Sequence, residues 1–429
     1  MSTLAIGTYV IWPSRLNVIA HMQLGFVSAA YIIPLLIIGI TSFYPDDIVN
    51  FYALILFFGS SMYLLGLMLG NKFPLLRLIR FKYSFQTVQD NSFNNYILKR
   101  TKYIFIFAIL GLLISYVVMG FVPAFAQDPI AAKFFRGEYQ APYRRVAVLY
   151  RVSHFLIVSL IIVVLAIWYQ TKQKKYLVMA MIAVFLVFIS LTRQPALEGF
   201  LLFVGIVLCR KKSGVTPYVF AIVLIYFLGS SSYYIIGKIF NIPSMLSVYA
   251  NNTSIWWVIA SGSPDIQDQL KFLRAFLLNP QYTYGKTFIG GLVPGNFKWN
   301  PHVWSLTVLN GGSDVSNVNS GGLRLPLPIY GYTSFGWLGV FIVPFISGMI
   351  LGNIVRVMQK YSNSKNVIKL SVLFLFYNVI ALPLSEFYKS SMYSIPTAFI
   401  CLFIIYKIFI KKSHDVRQNI SYYKGLNKR

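Results

Sequence analysis

The stretch AVLYRVSHFLIVSLIIVVLAIWY, residues 147–169, decides what kind of chain this is. As a helix it is long enough to cross the roughly 30 Å hydrocarbon layer of a bilayer, and its only charge is Arg151. Working outward, similar apolar runs occupy 17–42, 51–70, 103–124, 177–192, 196–209, 217–236, 332–354, 370–385 and 391–410. The pair at 177–192 and 196–209 is short and joined by a tight turn. Charged residues make up 11% of the chain and apolar ones 57%, whereas a soluble domain carries about 25% charge. The expected fold is therefore an all-α polytopic integral membrane protein with about ten transmembrane helices.

The net charge of +27 is distributed by side. Basic blocks fall at Lys72 to Lys102, Lys172 to Lys175, Arg210 to Lys212, Arg356 to Lys369 and Lys407 to Arg429. These segments include only Asp90 and Asp415 among the acids. If the N-terminus is cytoplasmic, every block lies on the cytoplasmic side, which is the positive-inside pattern. Both termini are expected there, and the charge is assigned to orientation and anionic headgroups, not to nucleic acid. The organisation that follows is 1–236 with seven transmembrane helices, 237–331 as one large extracytoplasmic loop, 332–410 with three more, and 411–429 as a basic cytoplasmic tail. No cleavable leader is expected, because the start lacks a basic n-region. Cys209 and Cys401 fall in spans and the four histidines are scattered. No disulfide framework, metal site or cofactor is expected.

The large loop carries NTSIWWVIASGSPDIQDQLKFLRAFLLNPQY. Its Trp256, Trp257, Ile266, Leu270, Leu273 and Phe276 predict an amphipathic helix along the membrane interface. The Gly-, Asn- and Trp-rich stretch after it reads as ordered turns whose aromatics either stack on sugar rings or form an interfacial belt. Outward cations run against the positive-inside bias. They include Lys133, Arg136, Arg144, Arg145, Arg151, Arg193, Lys271, Arg274, Lys286 and Arg324. Arg144 and Arg151 share one helix face. Arg193 precedes Pro195 and either contributes to an anion site or pairs with Glu198. Guanidinium forks suit phosphate. In SGGLRLPLPIYGYTSFGWLG, residues 320–339, two glycines and two prolines hold Arg324 at the mouth of the membrane domain.

Three motifs carry a resemblance. They are GEYQAPYRRVAVLYRV entering a span, the hairpin ISLTRQPALEGFLLF, and the long loop with FIGGLVPGNFKWNP leading to GLRLPLPIYGYTSFGWLG. In this order, over about 130–345, the chain resembles the Wzy-type O-antigen or oligosaccharide repeat-unit polymerases, within the wider O-antigen ligase–polymerase glycosyltransferase family. The resemblance implies a GT-C-like membrane enzyme of the bacterial inner membrane. It would transfer a glycan from undecaprenyl pyrophosphate to a hydroxyl of a second lipid-linked unit on the periplasmic side, without metal or nucleotide sugar. Membrane lipids, a flippase and a chain-length regulator would be its partners. Arg193 and Arg324 match required arginines of the family. With them Glu198 and His302 are the catalytic candidates, and Glu386 and Asp314 are further possible bases. Arg136, Arg144, Arg145, Arg151, Lys286 and Tyr330 are the expected substrate-binding residues. His154 reads more readily as a packed helix residue than as a chemical group. The ligase branch has a histidine near the Arg324 position that is missing here. A ligase-like enzyme, or a flippase or transporter of polyisoprenoid-linked glycans, is the alternative.

The charge pattern makes a topological prediction. Single cysteines at Asn310 and Asn91 should react with a membrane-impermeant maleimide from opposite sides; labelling of position 91 in intact cells would overturn the assigned orientation.

Overall fold

The computed structural model describes residues 2–73, 91–239, 241–246, 254–262, 265–290, 293, 296–312, 322–323, 325–389 and 395–409. Among them there are helices and turns and no strand. The principal helices are α1 (Val18–Ile32), α2 (Asp46–Lys72), α3 (Asn91–Met119), α4 (Gln140–Thr171), α5 (Lys174–Phe188), α6 (Arg193–Leu208), α7 (Val215–Ile239), α8 (Asp265–Leu278), α9 (Pro301–Leu309), α10 (Leu327–Tyr361), α11 (Val367–Phe376) and α12 (Ile395–Phe409). Seven helical stretches are long and apolar enough to cross a membrane, and the chain is a polytopic helical membrane protein. The other three expected spans are helical but short, with 15 residues in α5, 16 in α6 and 15 in α12. At 1.5 Å per residue they rise only about 22–24 Å.

The helix ends follow local chemistry. Asp46 and Asp47 open α2 and Lys72 closes it, complementing the helix dipole. Asn366 caps α11 by accepting from the Ile368 and Lys369 amides at 2.9 and 3.2 Å. At one end of the bundle Arg210 donates to the Ser364 carbonyl at 3.0 Å, and Arg356 to those of Asn71 and Lys72. At the other end, Tyr44 and Tyr52 donate to Gln267 and Gln269 of α8.

Two cores organise the helices. In α4 every side chain from Leu160 to Ile167 is 2% exposed or less, so this helix is apolar all round and central. It packs against α3, α5, α6, α11 and α12. The second core centres on α2 and α10, which meet backbone to backbone. A Cβ placed at Gly66 or Gly70 would overlap the carbonyl of Phe345 or Met349, and one at Gly348 or Gly352 that of Tyr63 or Leu67. The order of these contacts makes the two helices run the same way. In lipid, burying apolar surface between helices yields little by itself, so close packing across small residues supplies the association.

α10 is not one rod. At Phe335 (φ −138°, ψ 21°) and Gly336 (φ 61°, ψ −145°) the helix breaks, and the left-handed φ falls on the residue that tolerates it. The limbs 327–334 and 337–361 then fold against each other at Gly331 and Gly339, each touching the other's carbonyl where a Cβ would stand. Pro328 in the first turn of the short limb packs on Gly59 of α2, while Tyr332 meets Phe51 with ring centroids 5.2 Å apart. The short limb thus runs antiparallel to α2, and its Pro328 lies about three and a half turns along that helix. The half-exposed segment Ser2–Ile6 packs on the bundle, with Ser60 donating to Thr3 at 2.8 Å and Gln23 to the Leu4 carbonyl at 3.0 Å.

One expectation is corrected. The stretch read as a single interfacial helix forms two, Ile255–Gly262 and α8. Ile266, Leu270, Leu273 and Phe276 are buried in the second core. Their apolar face is covered by protein and not by lipid.

Gly66→Leu should lower the unfolding temperature in detergent by several degrees or abolish a monodisperse protein, since overpacking a tight interface costs about 1–3 kcal/mol or more. A Cβ at Gly229 meets nothing within 4 Å, and Gly229→Ala should be neutral or slightly stabilising.

Candidate functional site

A cavity of about 320 Å³ lies between the two half-buried helical segments, the 2–8 stretch and the start of α10. Pro326, Leu327 and Pro328 form one wall and Thr3, Leu4 and Gly7 another; Ser60 and Tyr63 come from α2, and Pro344 and Ser347 from the crossing limb of α10. The remaining wall exists because α11 does not continue. It passes into a π turn, Tyr377–Ala381, a short helix, Leu382–Ser385, and a 3-10 turn, Phe387–Lys389. Such irregularities turn polar groups out of a helix. Here they present Tyr377, Asn378, Ser385, Glu386 and Tyr388 to the cavity. Ser347 fastens this wall by donating to the Ser385 carbonyl at 2.6 Å.

Glu198, on α6, faces the same space. Two carboxylates from segments far apart in sequence therefore share one cavity, close enough for the Glu386 charge to act on Glu198. Glu386 also acts on Tyr63, Tyr377 and Tyr388. Burial, and then the Glu386 carboxylate, holds the Tyr388 hydroxyl well above the ordinary tyrosine range, so it stays a donor. The Asn378 Oδ1 is buried with no hydrogen-bond partner among the described residues. Carboxylates, phenols and an amide around a mostly apolar chamber suit a ligand with hydroxyls or a transferable proton.

The expected cations lie elsewhere. No lysine or arginine is among the described residues that line the cavity. Arg151 donates from Nε to the Tyr143 hydroxyl at 2.6 Å and lies 5.6 Å from that ring's centroid. Arg136 stands over Phe134, Lys286 over Trp299, and Arg144 and Arg145 are exposed. Tyr330 is buried beside Tyr388, ring centroids 5.3 Å apart. His302 is half-buried in α9 and packs against Gly322. Arg324 and Asp314 lie outside the described residues, as does the side chain of Arg193. Leu323 and Leu325, the neighbours of Arg324, are both buried in the second core.

His154 has a place in this arrangement. Tyr143 stacks on Phe135 at 3.7 Å, Tyr150 lies against both, and His154 follows at 5.9 Å. Its Nε2 hydrogen-bonds Thr192 Oγ1 at 3.0 Å, and Thr192 is the residue at which α6 starts. The α4 aromatic ladder thereby fixes the start of the helix that delivers Glu198.

Sequence reasoning placed Glu198 and Glu386 among candidate bases but missed Tyr63, Tyr377, Asn378 and Tyr388. The signal for the last three is YNVIALPLSEFY, residues 377–388, where Asn, Pro and Ser interrupt an otherwise apolar run. Compared with protein-family models, curated proteins and solved structures, the chain matches none.

Glu198→Gln removes a charge from a poorly solvated cavity facing another carboxylate. Its unfolding temperature should equal or exceed that of the unmodified protein. A fall of several degrees would instead mean that Glu198 holds helices together through an ion pair.

Proposed function

We propose that the protein is a polymerase of lipid-linked oligosaccharide repeat units, acting at the periplasmic side of the bacterial inner membrane with both termini cytoplasmic. The observation that carries this reading is the cavity shared by Glu198 and Glu386 beneath the short limb of α10, which directly follows the segment bearing Arg324. The acceptor sugar hydroxyl hydrogen-bonds one carboxylate and passes its proton there as its oxygen bonds to the donor's anomeric carbon. The bond from that carbon to the pyrophosphate oxygen breaks, and undecaprenyl pyrophosphate leaves with the negative charge. Arg324 and Arg193 are assigned to that developing charge, with Arg136, Arg144 and Arg145 steering the anionic donor.

A second reading is favoured by the same half-helix. Interrupted helices beside intramembrane carboxylates are also the construction of proton-coupled transporters, which would make the chain a carrier of polyisoprenoid-linked glycans.

Gel banding of surface glycan from a deletion strain separates the two. Single repeat units on the lipid core are expected for a lost polymerase, and loss of capped core altogether for a lost carrier. Complementation with Arg324→Ala should give no polymer at normal membrane levels, because one well-placed charge-stabilising group is typically worth about 10²–10³ in rate. Arg324→Lys should be strongly impaired, since it lacks the fork. Full-length polymer from Arg324→Ala would end this assignment.

A further inference from the structure

A second cavity, of about 480 Å³, shares no residue with the first. It lies between Ile40, Phe43 and Tyr44 before α2, Trp257, and the outer face of α8. The inner face of α8 is buried through Ile266, Leu270, Leu273 and Phe276. Tyr44 and Tyr52 bind its first turn, at the Gln267 carbonyl and the Gln269 side chain. The helix therefore cannot rotate, and Lys271 and Arg274, one turn apart, are held exposed at the cavity.

The walls around these cations are apolar and aromatic. Trp257 packs edge-on against Phe43 with centroids 5.7 Å apart. Phe43 is 60% exposed and Leu278 80%, and Ile40 and Leu309 complete the apolar lining. No carboxylate is among the described residues lining the cavity; Asp268, one turn before Lys271, acts on Tyr44. Two fixed cations at an apolar, tryptophan-edged rim fit an anionic head on an apolar tail, and a water-soluble anion would leave the rim uncovered.

We propose that this cavity is a lipid-phosphate site, in which Lys271 and Arg274 take the phosphate and the lipid tail lies over Phe43 and Leu278. The phosphate belongs either to a bilayer phospholipid or to a polyisoprenyl carrier. The site is independent of the polymerase reading, because its readout is binding and not glycan synthesis.

The test is photolabelling of the full-length protein in phosphatidylcholine nanodiscs with three diazirine probes. These are a phosphatidylglycerol, a geranylgeranyl pyrophosphate and an uncharged diacylglycerol, with adducts mapped to 257–278. One or both phosphate probes should label this region and the diacylglycerol should not. Labelling by the phosphatidylglycerol probe alone assigns a bilayer lipid, by the pyrophosphate probe alone a carrier lipid, and by both a general phosphate site. The double variant K271Q/R274Q should label about thirtyfold less, each surface cation being worth roughly fivefold toward an anionic headgroup. K271R/R274K should retain the label, and both variants should keep the parent unfolding temperature. Labelling by neither phosphate probe, equal labelling by the diacylglycerol, or labelling indifferent to K271Q/R274Q would overturn the proposal.

Discussion

The contact that fixes α10 on α2 is made of backbone. The α2 motif GLMLG, residues 66–70, and the α10 motif GMILG, residues 348–352, put glycines four apart on facing surfaces. With no Cβ between them, the carbonyls of one helix touch the Cα atoms of the other. That spacing sets where the crossing limb of α10 stands, and the short limb leans on both it and α2. One wall of the carboxylate cavity is thus positioned by residues that have no side chains at all. Small-residue packing of this kind is how helices associate where lipid is as apolar as the side chains.

Much of the architecture was legible in the sequence because run length is a direct physical requirement for crossing a bilayer. Each of the ten expected spans contains a helix among the described residues, and seven helical stretches are long enough to cross. The glycine motifs were equally legible and went unread, since the apolar runs that contain them already looked complete. The break at Phe335–Gly336 was hidden for a related reason. GYTSFGWLG continues smoothly into the apolar stretch after it, and composition does not report a reversal of direction. The face of α8 illustrates a real ambiguity. Periodicity identifies an apolar stripe, but bilayer and protein interior are both apolar, so the pattern cannot say which one covers it. Of the candidate site, the two carboxylates were within reach of sequence reasoning. Their meeting was not, because it depends on irregular turns after α11.

The aromatic residues have a second use beside filling space. Lys133 donates to the Tyr233 hydroxyl at 2.8 Å and lies over the Phe134 and Tyr233 rings at 4.9 and 5.1 Å, while Tyr233 donates to the Leu191 carbonyl. Arg151 and Lys286 are seated in the same manner on Tyr143 and Trp299. A cation over an aromatic face keeps its charge with less water around it. Rings hold these cations in place through their faces.

The folded-back limb of α10 also constrains how the protein can be made. Its eight residues, 327–334, rise only about 12 Å, too little to be committed to a bilayer on their own. The limb starts at the depth of Gly59 in α2 and ends beside Phe51, so it turns back toward the end where α2 begins without crossing. Its seat is made by Gly339 of the long limb and Gly59 of α2. The carboxylate cavity therefore requires residues 59 and 328, far apart in order of synthesis, to have met.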